Sequence, residues 1–124
     1  MVNAWEIGSE YHRVDIPRNN CNPWPKEHLF CATGRTPVYL IWKSLNLFSR
    51  KLFVPDFFCK EVVDYWESKG IDIQFYIDDP RDSTPRFDSI TASPGDAILV
   101  VDFFGIRNGY CWQQWIKENK DVMI

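Results

Sequence analysis

The run Ala97-Ile98-Leu99-Val100-Val101 is the tightest constraint on how this chain can fold. It has no polar face, so an extended segment here must be covered on both sides. A strand covered by helices on both faces belongs to a layered α/β sheet, and the order of the other segments agrees. Lys51-Leu52-Phe53-Val54-Pro55 reads as a short buried strand, ended by a proline that cannot continue a central ladder. Residues 71–77 alternate, with Ile73, Phe75 and Ile77 facing one way and Asp72, Gln74 and Tyr76 the other. Helical segments lie between these runs. Residues 36–48 carry Val38, Ile41, Trp42, Leu45 and Phe48 at helical spacing, and residues 59–69 place Val62, Val63 and Trp66 on an inner face. A third helix over about 110–118 carries Trp112, Trp115 and Ile116, and residues 121–124 open a further buried strand. Residues 87–94 fit either a helical turn or an edge segment. The predicted fold class is therefore α/β, a mainly parallel sheet with right-handed crossovers and helices on both faces.

The glycine turn ahead of the first helix is the sharpest functional signal. Leu29-Phe30-Cys31-Ala32-Thr33-Gly34-Arg35-Thr36-Pro37 passes from an apolar run through small residues to a helix start. Thr36 is placed to cap that helix, with Pro37 at a position whose missing N–H costs nothing. A glycine turn opening onto a helix N-terminus presents backbone N–H groups and the positive end of the dipole, the physical recipe for holding a phosphate. A well-capped helix after a strand gives the same residues without any ligand. In a parallel sheet the loops after strand C-termini gather on one edge. That edge would collect residues 33–36, 56–59, 78–79 and 102–107. A glycine turn, the aromatic pair Phe57-Phe58 and the acidic residue Asp102 thus converge on one rim.

Other classes are disfavoured by the residues. The formal net charge is −3 and no basic block stands out, which argues against sequence-independent nucleic-acid binding. The apolar runs are too short to span a bilayer, and the N-terminus lacks the regions of a signal peptide, so the expectation is a cytoplasmic protein with no membrane contact. Cys21, Cys31, Cys59 and Cys111 are scattered without metal-ligand spacing, and His12 and His28 pair with none of them. Residues 1–28, dense in turn formers around Trp24, read as an irregular arm ahead of an α/β domain over residues 29–124. Trp42, Trp66, Trp112 and Trp115 read as core, and Asp78-Asp79 as a solvated turn.

Thr33-Gly34-Arg35-Thr36-Pro37-Val38-Tyr39-Leu40 resembles the helix-start motif of fold-type I pyridoxal-phosphate (PLP) enzymes, most closely the DegT-type sugar aminotransferases. Leu52-Phe53-Val54-Pro55-Asp56-Phe57-Phe58-Cys59 resembles their next strand and its aromatic residue. Pro94-Gly95-Asp96-Ala97-Ile98-Leu99-Val100-Val101-Asp102-Phe103-Phe104-Gly105 resembles a later strand and loop, and residues 121–124 resemble the strand after it. The ordered set covers residues 29–124, the N-terminal part of the family's large domain. The resemblance implies that Gly34, Arg35 and Thr36 offer backbone N–H groups to the PLP phosphate. It implies that Phe58, with Phe57 as the neighbouring candidate, stacks on the pyridine ring. Arg35 stands where the family more often has a small hydroxyl residue, so its guanidinium either contacts the phosphate or points away. Asp102 stands where the family often has a histidine, at the rim of the cofactor site.

In that family the Schiff-base lysine and the aspartate paired with the pyridine nitrogen lie beyond the matched segments. Lys43, Lys51, Lys60, Lys69, Lys117 and Lys120 fall on or beside helices and strands, away from the matching place. The resemblance therefore implies a chain without aminotransferase activity of its own, which associates with itself or with a complementing C-terminal half. Two other readings stay open. One is a small flavodoxin-like or nucleotide-binding module using the same turn, although the Rossmann GxGxxG is missing. The other is a non-catalytic interaction protein.

Overall fold

The computed structural model describes residues 33–103 and 110–124. These all lie in the unit Cys31–Ile124. Residues 1–28, the cysteines Cys21 and Cys31, and the loop residues 104–107 fall outside the described residues. The described elements are helix α1 (Arg35–Ser44), strand β1 (Lys51–Pro55), helix α2 (Lys60–Ser68), strand β2 (Asp72–Tyr76), strand β3 (Ala97–Ile98) and helix α3 (Tyr110–Glu118). A short 3-10 turn, Phe87–Ser89, resolves the ambiguous stretch before β3.

The sheet is parallel, in the order β2-β1-β3. Its register sets Leu52 beside Ile73 on one flank and beside Ala97 on the other. Beyond the short β3, the Leu99 N–H still donates to the Phe53 carbonyl at 2.8 Å. Met123 then bridges Ala97 in parallel, and its carbonyl accepts the Ile98 N–H at 2.8 Å. Residues 121–124 thus lie where a fourth parallel strand belongs, and the described order is 2-1-3 with Met123 outermost.

Alternation along the strands divides the core in two, because successive side chains point to opposite faces. Leu52, Val54, Ile73 and Ala97 pack with Trp42, Val63, Trp66 and Ile71 under α1 and α2. Phe53, Tyr76 and Ile98 pack with Trp112 under α3 and the 3-10 turn. Leu99 joins the first cluster and Val100 the second, so the apolar run is covered on both faces. The sheet is α/β and parallel, with helices on each side.

Several local expectations are corrected. The α1 N-cap is Gly34, two residues before Thr36, and no side chain caps it. Thr36 bonds sideways instead, its hydroxyl 3.0 Å from that of Thr33. The apolar stripe of α1 is only half used. Trp42 is buried and Val38 packs beside it, whereas Ile41, Leu45 and Phe48 are exposed. In β2 the alternation holds but burial does not follow it. As an edge strand, β2 runs past the cover of α2, leaving Phe75 and Ile77 exposed while Tyr76 is buried against Trp112. Asp78, expected in solvent, is fully buried beside the end of β1, its N–H donating to Asp56 Oδ1 at 2.9 Å. Cys59 is the exposed N-cap of α2.

Both helices on the first face end in the same way. After α1, Asn46 takes a left-handed conformation (φ 53°), with Asn46 N–H bonded to Lys43 O and Leu47 N–H to Trp42 O. After α2, Gly70 (φ 81°) repeats the pattern, with bonds to Glu67 O and from Ile71 N–H to Trp66 O. These paired bonds are Schellman motifs, and each folds an apolar residue back onto a core tryptophan. At this same end of the sheet, the buried Asp96 carboxylate accepts the Lys51 N–H at 3.0 Å and the Ser93 N–H at 2.9 Å. It ties the start of β1 to the turn before β3. Gly95 in that turn has φ 87°, and a Cβ there would lie 2.9 Å from the Arg50 guanidinium carbon. No described helix is long and apolar enough to cross a membrane.

Asp96→Ala would leave both part-buried N–H groups without their acceptor. The expected cost is about 2 kcal/mol, read as a lower midpoint in urea unfolding at unchanged slope. A midpoint indistinguishable from the parent chain would show that the carboxylate does not hold the two segments together.

Candidate functional site

The loop after β1 leads to α2 on one face, and the loop after β3 leads toward α3 on the other. The two connections therefore part at the C-terminal ends of adjacent parallel strands. Ligands bind in that kind of crevice in open α/β sheets. Two clefts lie there. The larger, about 570 Å³, is lined by Thr33, Gly34, Arg35, Val38, Phe58, Val62, Trp66, Leu99 and Val101. The smaller, about 410 Å³, is lined by Asp56, Phe57, Phe58, Cys59, Val101 and Phe103. Phe58 and Val101 form a wall common to both.

Trp66 sets the geometry of the larger cleft. Its indole is 1% exposed, and its Nε1–H donates to the Arg35 carbonyl at 2.8 Å. Its ring stacks on Phe58 with centroids 5.8 Å apart and planes at 20°. One side chain of α2 thereby fixes the first turn of α1 and also the aromatic residue after β1. Gly34 lines the cleft with φ −62° and ψ −23°, a helical conformation open to any residue, and a Cβ there would meet nothing within 4 Å. Its role is therefore not to permit an unusual turn. It leaves the helix N-terminus uncovered on the cleft side.

The Arg35 guanidinium lies over the Tyr65 ring, 4.8 Å from its centroid. Lys69 approaches the same ring at 5.4 Å and the Tyr39 ring at 5.9 Å. Of the two orientations open to Arg35, this is the one that points away from the turn and leaves the backbone to face the cleft. Thr36 does not line the cleft, but its hydroxyl meets that of Thr33, which does. Phe57 is exposed and packs edge-on against Phe103, with centroids 5.5 Å apart. Asp102 is exposed and lines neither cleft. Gly34, Arg35 and Phe58 thus come together, Thr36 stands one contact away, and Asp102 stands apart.

Trp66, Val62, Leu99 and Val101 complete the site, and sequence reasoning took them only as core. The signal for the first two was present, since Val62 and Trp66 are one helical turn apart on the side of α2 that faces Phe58. Asp56 was likewise passed over. Its Oδ1 accepts the N–H groups of Phe57 and Asp78, each at 2.9 Å, which fixes the carboxylate at the mouth of the smaller cleft.

Electrostatically the two clefts differ. Among the described residues, the larger is lined by a hydroxyl and a helix N-terminus and by no carboxylate, with the Arg35 cation turned onto Tyr65. Among the described residues lining the smaller, Asp56 is the one charged group. Lys60 follows the smaller cleft in sequence, but its ammonium is bonded to both oxygens of Asp64, at 2.6 and 2.7 Å. That hydrogen bond, and then the attraction of the same carboxylate, raise its pKa above the ordinary lysine value. Among the described residues no group of His, Cys, Asp and Glu could hold a metal ion. No family model, curated protein or solved structure matches this chain.

Trp66→Phe keeps a ring against Phe58 and removes the bond to Arg35. The expected result is a loss of about 1 kcal/mol in unfolding free energy. Amide hydrogen exchange should also quicken over residues 36–39, with α3 unchanged. Unchanged exchange in that turn would mean that Trp66 does not anchor it.

Proposed function

We propose that the larger cleft cradles the phosphate of PLP, and that this chain supplies the phosphate-anchoring part of a PLP-dependent aminotransferase-like protein. The observation that carries the reading is the α1 N-terminus, open at Gly34 and free of carboxylates, at the rim of an apolar cleft walled by Phe58. Such an end stabilises an anion through its N–H groups and dipole. The donor set suits a phosphate, and the volume suits a flat ring beside it. The ordered resemblance of residues 33–40, 52–59 and 94–105 to the PLP family is the second support. In this reading the backbone N–H groups of Gly34 and Arg35 hold the phosphate, with the Thr33 hydroxyl beside them, while the Thr36 N–H is already given to the Thr33 carbonyl at 3.2 Å. Phe58, backed by Trp66, flanks the ring, while Val62, Leu99 and Val101 exclude water. PLP, when bound, supplies the electron sink for transamination. In this reading none of the lysines stands where the resembled family carries its Schiff-base lysine, and the chain binds without turnover of its own.

One observation favours a second reading. The strand order 2-1-3, with Met123 beyond β3, is that of flavodoxin-like sheets, whose mononucleotide sits at the same switch point. A flavin mononucleotide would place its phosphate at the turn after β1, the N-terminus of α2.

Pyridoxine 5′-phosphate separates the two, since it keeps the phosphate and ring but lacks the aldehyde that attacks surface lysines. Titrated against tryptophan fluorescence, it should bind saturably and be displaced by inorganic phosphate. Gly34→Asp is the matching variant. A carboxylate there has room, and its negative charge at the same helix end should weaken pyridoxine phosphate binding at least about tenfold. Saturation by flavin mononucleotide but not by pyridoxine phosphate would move the assignment to the second reading. Failure of both ligands would remove the phosphate cradle altogether.

A further inference from the structure

The smaller cleft has chemistry opposite to that of its neighbour. Among the described residues that line it, Asp56 is the one charged group, and the others are Phe57, Phe58, Cys59, Val101 and Phe103. The carboxylate is held by two backbone donors on Oδ1, from Phe57 and Asp78, so its position is fixed before any ligand arrives. No described residue donates to Oδ2. The Phe57 ring is 55% exposed and packs edge-on with the buried ring of Phe103, at 74° with centroids 5.5 Å apart, and both line the cleft.

A fixed carboxylate beside aromatic rings in an otherwise apolar cleft complements an organic ammonium group. The carboxylate supplies the counter-charge, and the ring faces attract the cation while packing its hydrocarbon body. Other cleft chemistries fit less well. An anion would meet Asp56, and a neutral sugar would find few hydrogen-bonding side chains. A metal ion would find one carboxylate and one thiol. The N-terminus of α2 contributes a partial positive charge of about half a unit, weaker than a full carboxylate. Glu61 in the first turn of α2 offsets it further.

We infer that this cleft binds the ammonium end of an apolar or aromatic amine, with Asp56 as the counter-ion and Phe57 and Phe103 as the rim. Binding of the amine stands independently of the phosphate cradle. Only the assignment of that amine as the substrate rests on the aminotransferase-like reading. The shared wall of Phe58 and Val101 would then set an amine against a ring held in the larger cleft.

The test uses the full chain with no phosphate ligand present, titrated with benzylamine and separately with benzyl alcohol at constant ionic strength. The reporters are the amide resonances of Phe57 and Asp78, since both N–H groups sit on the Asp56 carboxylate. Benzylamine should shift both saturably, and benzyl alcohol should bind at least about tenfold more weakly. Asp56→Asn retains an Oδ1 acceptor for both N–H groups and so keeps the fold. It should bring benzylamine down to the level of the alcohol. Phe57→Ala, at an exposed position, should weaken benzylamine several-fold. Equal affinity for amine and alcohol, unchanged benzylamine binding in Asp56→Asn, or shifts that never saturate would each overturn the inference. Because no phosphate is present, benzylamine binding without pyridoxine phosphate binding would remove the cradle and leave this site. The reverse result would remove this site and leave the cradle.

Discussion

The hydrogen bond from the Trp66 indole to the Arg35 carbonyl holds the candidate site together. Two helices on the same face of a sheet need a reason to align their ends, and apolar packing alone is non-directional. Here a side chain that is 1% exposed contributes both burial and one directed bond. Full burial of a large apolar side chain is worth about 1.5–3 kcal/mol, and the added bond about 1 kcal/mol. The first term secures α2 against the sheet, and the second fixes where α1 begins. Stacking of Trp66 on Phe58 extends the same anchor to the loop after β1. The Schellman ends at Asn46 and Gly70 complete the arrangement by returning Leu47 and Ile71 to Trp42 and Trp66.

At the opposite end of the sheet Asp96 is the counterpart. It joins the starts of β1 and of the turn before β3 through backbone N–H groups, so this end of the sheet is tied while the connections part at the other. The clefts open where the connections diverge. Stability and site thus occupy opposite edges of a small parallel sheet, which leaves the site edge free to carry exposed groups such as Phe57.

Much of this architecture is legible in the amino-acid sequence because it is periodic. The apolar run at 97–101 demanded two covered faces, and α3 matches its expected span because Trp112, Trp115 and Ile116 recur at helical spacing. What periodicity cannot encode is how far a neighbour extends. Phe75 and Ile77 alternate like core residues, yet β2 is an edge strand that outruns α2, so they face solvent. Ile41, Leu45 and Phe48 form a stripe as regular as that of any buried helix, but α1 is covered only near Val38 and Trp42. Asp78 reads as a polar turn residue and is nonetheless buried, because its backbone N–H is claimed by Asp56. The cleft was legible in part. The glycine turn and Phe58 announced themselves through order and spacing. Thr36 was misplaced as the cap because a hydroxyl before proline is the commoner N-terminal pattern, whereas here its hydroxyl is claimed by Thr33. Asp56 and Trp66 join the site only through long-range bonds that leave no local pattern.

The central claim is that the N-terminus of α1, rather than that of α2, is the anion-binding end of this sheet. Inorganic phosphate titrated into isotopically labelled chain at constant ionic strength tests it directly through the amide resonances. The account predicts saturable shifts at Gly34 and Arg35, with the first-turn amides of α2, Lys60 and Glu61, unmoved. Saturable shifts at Lys60 and Glu61, or uniform shifts that never saturate, would contradict it.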